Sequence, residues 1–129
     1  MPTATNKNRP RVAATPRPKS QVREQPLVVL RRKMGMTQRV FARVVSVSER
    51  SLAKLEKGQP PSEATGRHLA EIARLYKALC QVVKPEALRP WFQRPNPSFG
   101  GLKPIEVIER GQIDRLWEMV YRLESGVPG

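Results

Sequence analysis

Few side chains in this sequence could carry out catalysis. The chain contains one histidine, His68, and one cysteine, Cys80. One residue of each type cannot assemble a structural zinc site within a single chain, and no base is identifiable beside the thiol. Glu106 and Glu109 fall on a short predicted helix, where we expect ordinary solvated carboxylates. Because a glycine-rich phosphate-binding loop is also missing, the sequence predicts a protein that is not an enzyme and that carries no metal or cofactor.

A second set of side chains could bind nucleic acid. Glu49, Arg50, Ser51 and Lys54 take outward positions along one predicted helix. The planar guanidinium of Arg50 can reach O6 and N7 of guanine together, so we expect it to read a base. Lys54 and Lys57 suit phosphates equally well, and Glu49 could serve only to stabilise the start of the helix.

Two short helices must position these side chains. Between Met34 and Gly58 the apolar residues cannot form one helical stripe, because the register breaks over residues 45–48. Thr37 and Ser48 are good N-caps, since a side-chain hydroxyl can accept an unpaired backbone N–H. The pattern predicts a helix-turn-helix whose second helix, from Ser48 to Gly58, reads DNA.

The charge of the chain is distributed unevenly. The net charge is +13, and residues 1–84 carry 18 Lys/Arg and 5 Asp/Glu, whereas residues 85–129 carry 6 of each kind. The strong positive charge of residues 1–84 suits a polyanionic partner. DNA is the leading candidate, followed by RNA or an anionic membrane surface. The neutral end suits a protein interface. Simple solubility is the alternative explanation of the charge.

Residues 1–25 are predicted to form a disordered basic arm. They contain four prolines, six Lys/Arg, one acid and almost no apolar residue that could pack. The prolines would also break the amphipathic helix of an organelle transit peptide. The arm could follow phosphates or enter a minor groove, or it could be a solvated tail without specific contacts.

The remaining pattern predicts an all-α fold. Proline, serine and glycine mark five further helices. These are predicted over residues 26–35, 62–83, 85–93, 104–110 and 113–126. We interpret His68 as a surface residue and Cys80 as a small buried hydrophobe. The inward stripe of the last helix is predicted to be Ile113, Leu116, Trp117, Val120 and Leu123.

Two domains follow the arm in this interpretation. We place a helix-turn-helix domain at residues 26–84 and a small helical domain at residues 85–129. The second domain buries little apolar surface by itself. It should therefore pack against the first domain or against another chain.

The helix-turn-helix region resembles a known family. Met34-Gly35-Met36-Thr37-Gln38 and Leu55-Glu56-Lys57-Gly58 are similar to the lambda-repressor-like (Xre-type) DNA-binding domain, which would cover about residues 27–79. The resemblance implies that Gln38 contacts a phosphate at the start of the second helix. Arg39 and Arg43, on the outward side of that helix, are expected to bring charge to the DNA backbone rather than to read bases. Ser46 stands where the family usually has glycine, so we expect a slightly strained turn there.

The end of the chain carries a second resemblance. Trp91-Phe92, Pro95-Asn96, Gly101, Pro104, Glu106 and Leu123-Glu124-Ser125-Gly126 are similar to the C-terminal toxin-binding domain of the MbcA/ParS/Xre antitoxin family. This implies a bacterial type II antitoxin that covers the active site of a RES-domain toxin, an enzyme that degrades NAD or transfers its ADP-ribose, and represses its own operon. The toxin-binding residues implied are Trp91, Asn96, Arg122, Glu124, Ser125, Gly126 and Val127.

The partners expected from both resemblances are double-stranded operator DNA, a RES-domain toxin and a second copy of the chain. Two other functions stay open. One is a stand-alone DNA-binding regulator without a toxin, and the other is an inhibitor whose helix-turn-helix is vestigial. The single cysteine and the short apolar runs predict a soluble protein of a reducing cytoplasm that does not span a membrane. The two resemblances imply that this cytoplasm is bacterial and that the protein associates with the nucleoid.

Overall fold

The computed structural model describes residues 25–126, so the predicted arm lies outside the described residues except for Gln25. Within this range the chain forms seven α-helices and one 3-10 turn, without a strand. The α-helices are α1 (Pro26–Lys33), α2 (Gln38–Val45), α3 (Glu49–Glu56), α4 (Glu63–Val82), α5 (Pro85–Trp91), α6 (Pro104–Glu109) and α7 (Asp114–Ser125), and the 3-10 turn is Pro97–Phe99. The all-α class, with a helix-turn-helix followed by a C-terminal helical segment, is confirmed.

Local chemistry sets most helix boundaries. The Thr37 hydroxyl accepts the N–H of Val40 at 3.2 Å, and the Ser48 hydroxyl accepts the N–H of Ser51 at 3.0 Å, so both predicted caps are confirmed. The helix α1 ends two residues before the predicted Gly35, which has φ +71° and so leaves the helical region. Gly126 closes α7 in the same left-handed conformation, at φ 73°.

One apolar core runs through the helix-turn-helix and the C-terminal segment. Phe41, Leu52 and Ile72 are fully buried in the same cluster as Phe92 and Leu116. The helix α6 packs on α2, and α7 packs on α4. The C-terminal segment thus buries its apolar residues against the helix-turn-helix within one chain, as its small size requires.

Several predictions about single residues are wrong. Leu123 was assigned to the inward stripe, but it is 48% exposed. The last turn of α7 lies beside Gln81 and Val82, where α4 ends, so little of α4 covers Leu123. Cys80 is only partly buried. His68 is also half-buried, and its Nε2–H donates to the carbonyl oxygen of Val44 at 3.0 Å, which holds α4 against the end of α2.

The two carboxylates of α6 are not ordinary solvated charges. Glu106 Oε1 accepts the N–H of Lys103 at 2.8 Å and so caps its own helix. Glu109 Oε2 accepts from Arg43 Nε at 2.5 Å across the α2–α6 contact. Both groups therefore have structural partners, and the second is contributed by a residue 66 positions away in the chain.

No helix among residues 25–126 is long and apolar enough to cross a membrane. The same residues contain no group of three or more His, Cys, Asp or Glu side chains arranged to hold a metal ion.

Candidate functional sites

The residues predicted to bind DNA lie on two neighbouring helix starts. Gln38 and Arg39 begin α2, and Glu49, Arg50 and Ser51 begin α3. All five are exposed, as are Lys54 and Lys57 further along. We call this set the α3 surface. The contacts Arg39–Glu49 and Gln38–Glu56 place the start of α2 beside α3.

Arg50, Lys54 and Lys57 are the available cations of the α3 surface. No side-chain hydrogen bond or ion pair joins any of the three to another residue within 25–126. These side chains therefore break no existing bond when they turn toward a phosphate or a base edge. Their arrangement fits a guanine contact from Arg50 with phosphate contacts on either side.

The other members of the α3 surface already have partners. Arg39 Nε lies 3.8 Å from Glu49 Oε1, with side chains 75% and 56% exposed, so this pair is weak and can exchange for DNA contacts. The Ser51 hydroxyl accepts from the Ser48 hydroxyl at 3.0 Å. Ser51 thus supports the N-cap of α3 as well as lying at its outward side.

Gln38 belongs to a clamp that the sequence did not indicate. Its Nε2 donates to Glu56 Oε1 at 2.7 Å, while Arg31 Nε donates to Glu56 Oε2 at 2.6 Å and Arg31 Nη1 donates to the Met36 carbonyl at 3.2 Å. The Glu56 side chain is only 9% exposed. A phosphate contact by Gln38 can therefore use its backbone N–H or the second hydrogen of Nε2 while the bond to Glu56 is kept.

The clamp also sets the ionisation of its carboxylate. Burial raises the pKa of Glu56, but the hydrogen bonds from Arg31 and Gln38 and the charges of Arg31 and Arg32 outweigh it, so the pKa is lowered from 4.5. Glu56 therefore stays ionised near neutral pH. It ties the C-terminal end of α3 to α1 and to the start of α2. Arg31 and Glu56 are 25 positions apart in the sequence, so no local pattern predicted their contact.

The turn between α2 and α3 is left-handed at Ser46, which has φ 67° and ψ 43°. Among residues 25–126, Ser46 is the only residue other than glycine with a positive φ. The prediction of a left-handed residue at this position is confirmed. A side chain in this region costs roughly 1–2 kcal/mol relative to the ordinary right-handed one.

Trp91 and Asn96, predicted to bind a toxin, organise the turn between α5 and α6. The Trp91 ring packs edge-on against Phe92 and Phe99, with centroid distances of 5.2 and 6.4 Å. The Asn96 side chain accepts the N–H of Ser98 at 2.9 Å, and its backbone N–H donates to the Leu102 carbonyl at 3.0 Å. Asn96 thus caps the 3-10 turn, and its side-chain oxygen and backbone N–H already have partners within the chain.

The other predicted toxin-binding residues end α7. Arg122, Glu124, Ser125 and Gly126 are all exposed, and Val127 lies outside the described residues. The Ser125 hydroxyl donates to the Arg122 carbonyl at 3.1 Å. This end of α7 lies beside Gln81 and Val82 of α4, whereas Trp91 packs at the α5–α6 turn. The structure does not gather the predicted set into one site.

Two large apolar side chains of α7 were missed as candidate contacts. Tyr121 is 61% exposed and Leu123 is 48% exposed, and they stand out as the exposed large hydrophobics of the described part. Tyr121 also lies 6.1 Å from Trp117, measured between ring centroids. Helical periodicity could have indicated Tyr121, because it falls outside the inward stripe. Together with residues 122–126 these side chains give α7 an exposed face with both apolar and polar groups.

An ion pair links the helix-turn-helix to the C-terminal segment. Arg43 Nε lies 2.5 Å from Glu109 Oε2, with side chains 51% and 23% exposed. Arg43 was predicted to carry charge to the DNA backbone, but in this structure its charge is shared with α6. The helix α2 therefore cannot shift relative to α6 without breaking this bond.

The fold and the two surfaces together define a helix-turn-helix protein with a C-terminal helical segment suited to binding another protein. Residues 29–78 match the helix-turn-helix family, and residues 81–126 match the antitoxin Xre/MbcA/ParS C-terminal toxin-binding domain. These two matches confirm the resemblance to the Xre/MbcA/ParS antitoxin family that the sequence shows.

Named relatives agree with this assignment. The mycobacterial cidal antitoxins MbcA of Mycobacterium tuberculosis and Mycobacterium bovis are each 26% identical over 96 residues, which cover 74% of this chain and 85% of the relative. A chain of the M. tuberculosis MbcT–MbcA toxin–antitoxin complex has the same fold, with a TM-score of 0.65 and 24% identity over 80% of this chain and 94% of that one.

Proposed function

We propose that this protein is the antitoxin of a type II toxin–antitoxin system and that it has a binding rather than a catalytic role. The relationship to the MbcA antitoxins supports an antitoxin role. The observation that carries the proposal is the exposed face at the end of α7. Tyr121 and Leu123 stand out there within the segment that matches a toxin-binding domain.

The toxin in this proposal has a RES domain and consumes NAD or transfers its ADP-ribose. The end of α7, with Arg122, Glu124, Ser125 and Gly126, covers the toxin's active-site cleft. The tail beyond it, beginning at Val127, extends the cover. Blocking a pocket for a phosphorylated cofactor needs shape and a few polar groups, and Arg122 can pair with an acidic group at the cleft. Trp91 and Asn96, at the α5–α6 turn, form a separate contact with the toxin in this proposal.

The test of the antitoxin role begins with a pull-down of the tagged full chain from its native cell extract, treated with nuclease so that DNA does not bridge partners. We expect one stoichiometric partner of enzyme size. The purified partner should consume NAD. Added antitoxin should stop the reaction at a fixed molar ratio of antitoxin to partner. Recovery of a partner that leaves NAD intact would reject the RES assignment but keep the antitoxin role.

We further propose that a homodimer binds operator DNA through the α3 surface and represses its own operon. Binding to DNA would also associate the protein with the nucleoid. Arg50, Lys54 and Lys57 support this proposal because they are exposed and available. Two α3 helices in a dimer would read half-sites about one DNA turn apart, roughly 34 Å. Footprinting on the native promoter should show two protected half-sites with this spacing.

The alternative is a stand-alone DNA-binding regulator without a toxin. The strong charge of residues 1–84 favours it, because that charge would suit DNA binding alone. In that case the nuclease-treated pull-down should recover only the protein itself, while footprinting should still show protected half-sites. Weak binding to all sequences equally would instead indicate a vestigial helix-turn-helix.

A further inference from the structure

A shallow groove between α4 and α7 has a chemistry unlike the rest of the molecule. Its volume is about 460 Å³, and its lining residues are Glu71, Arg74, Asp114, Trp117, Glu118 and Tyr121. Three carboxylates therefore face one guanidinium in a chain whose net charge is +13. We call it the α4–α7 groove. Its two aromatic side chains lie between these charges.

The aromatic side chains give the groove an apolar floor. Trp117 and Tyr121 are one helical turn apart, their ring centroids are 6.1 Å apart and their planes differ by 30°. Tyr121 is 61% exposed. An exposed ring beside a half-buried one can bind proline rings or cationic side chains, and neighbouring carboxylates favour a positively charged ligand.

We propose that the N-terminal segment of the same chain, residues 1–24, binds in the α4–α7 groove. The segment contains Pro16-Arg17-Pro18-Lys19, and six of its residues are Lys or Arg against one acid. The two prolines pack on Trp117 and Tyr121. The side chains of Arg17 and Lys19 then pair with the carboxylates of Glu71, Asp114 and Glu118.

The position of Pro26 allows this contact. Pro26 lines a cavity together with Ala73 and Lys77, so the segment enters the fold beside α4. Ala73 is next in sequence to Arg74, which lines the groove on the neighbouring face of the same helix. The nine steps along the chain from Arg17 to Pro26 can span roughly 30 Å, which exceeds the diameter of one helix, about 10–12 Å.

A consequence follows for DNA binding, and it depends on the function proposed above. The carboxylates of the groove hold the same Lys and Arg side chains that would otherwise contact phosphates. The segment therefore cannot occupy the groove and DNA at once. A toxin that covers the outer face of α7 would displace the segment and make it available to DNA.

Paramagnetic NMR tests the proposal without DNA or toxin. In the full chain, Cys80→Ser removes the native thiol and Ser20→Cys places a spin label beside Lys19. We expect the amide signals of residues 71–74 and 114–121, and the Trp117 indole signal, to lose most of their intensity at low salt. Signals of α3 should keep theirs. Retained intensity at the groove would overturn the proposal.

Matched variants separate charge pairing from proximity. Glu71→Gln with Glu118→Gln should restore the groove signals, as should high salt. Glu63→Gln with Glu86→Gln removes the same number of acids outside the groove and should leave the broadening unchanged. Equal restoration by both pairs would show a general charge effect and reject the groove. A mixed sample, in which spin-labelled and isotope-labelled chains are different molecules, should show no broadening; broadening there would assign the contact to a second copy.

Discussion

Arg31 Nε donates to Glu56 Oε2 over 2.6 Å and thereby joins α1 to the last residue of α3. The two side chains are only 16% and 9% exposed. Glu56 also accepts from Gln38 at the start of α2, so one carboxylate holds three helices. This arrangement fixes the angle at which α3 would be presented to DNA.

The first prediction concerns the stability supplied by this clamp. Glu56→Ala should lower the free energy of unfolding by roughly 3 kcal/mol, because it leaves a largely buried guanidinium without its partner. Urea unfolding followed by circular dichroism measures the change. Glu49→Ala is the matched control, since its pair with Arg39 is exposed, and it should cost about 1 kcal/mol or less. Equal losses would mean that the clamp contributes no more than a surface pair.

The second prediction follows from the lowered pKa of Glu56. Because its pKa in the folded state lies below 4.5, ionised Glu56 stabilises the fold fully above that value. The contribution is lost as the pH falls from 4.5 through the lower folded pKa. The difference in unfolding free energy between the native chain and Glu56→Gln should therefore be constant at neutral pH and shrink below about pH 4.5. A difference that is independent of pH down to complete acid unfolding would contradict the assignment.

The third prediction concerns base recognition by Arg50. Arg50→Ala should weaken binding to the preferred operator by about 1–3 kcal/mol and relax the preference at one base position. Lys57→Ala should instead weaken binding to all sequences and reduce the salt slope by about 0.9. Titrations of an operator series at several salt concentrations distinguish the two effects. Arg94→Ala, an exposed arginine of the neutral part of the chain, should change neither quantity.

The fourth prediction separates toxin binding from DNA binding. A chain that ends before Glu124 should inhibit the toxin more weakly and bind operator DNA as before, because Glu124, Ser125 and Gly126 are exposed and outside the apolar core. Tyr121→Ala should weaken the toxin complex by about 2 kcal/mol if its exposed ring is a central contact. Calorimetry with the purified toxin measures both. Undiminished inhibition by the shortened chain would exclude the end of α7 as the cover of the active site.

The fifth prediction concerns the turn of the helix-turn-helix. Ser46→Gly should raise the free energy of unfolding by about 0.5–1 kcal/mol, since glycine adopts a positive φ without steric cost. Ser48→Ala, two residues later, should lower it by about 1 kcal/mol, because it removes the N-cap of α3. Thermal unfolding of the two variants gives opposite shifts. A decrease for Ser46→Gly would show that the serine side chain contributes contacts that outweigh the strain.

The sequence by itself determined the features that depend on neighbouring residues. Thr37 and Ser48 cap their helices through bonds to residues three positions later, so composition and spacing were enough to place α2 and α3. The strained turn at Ser46 was expected from the family resemblance, because the family usually has glycine at this position. The order of a helix-turn-helix and a toxin-binding segment was also readable, because both family motifs are continuous stretches of the chain.

Only the tertiary structure decided the features that join distant residues. Arg31 meets Glu56 and Arg43 meets Glu109 because helix packing brings together side chains 25 and 66 positions apart, and no local period encodes such a meeting. Leu123 has the helical spacing of a core residue, yet it is exposed because α4 ends beside it. Periodicity specifies the face of a helix on which a side chain lies, whereas burial also requires a neighbouring element that extends far enough to cover it.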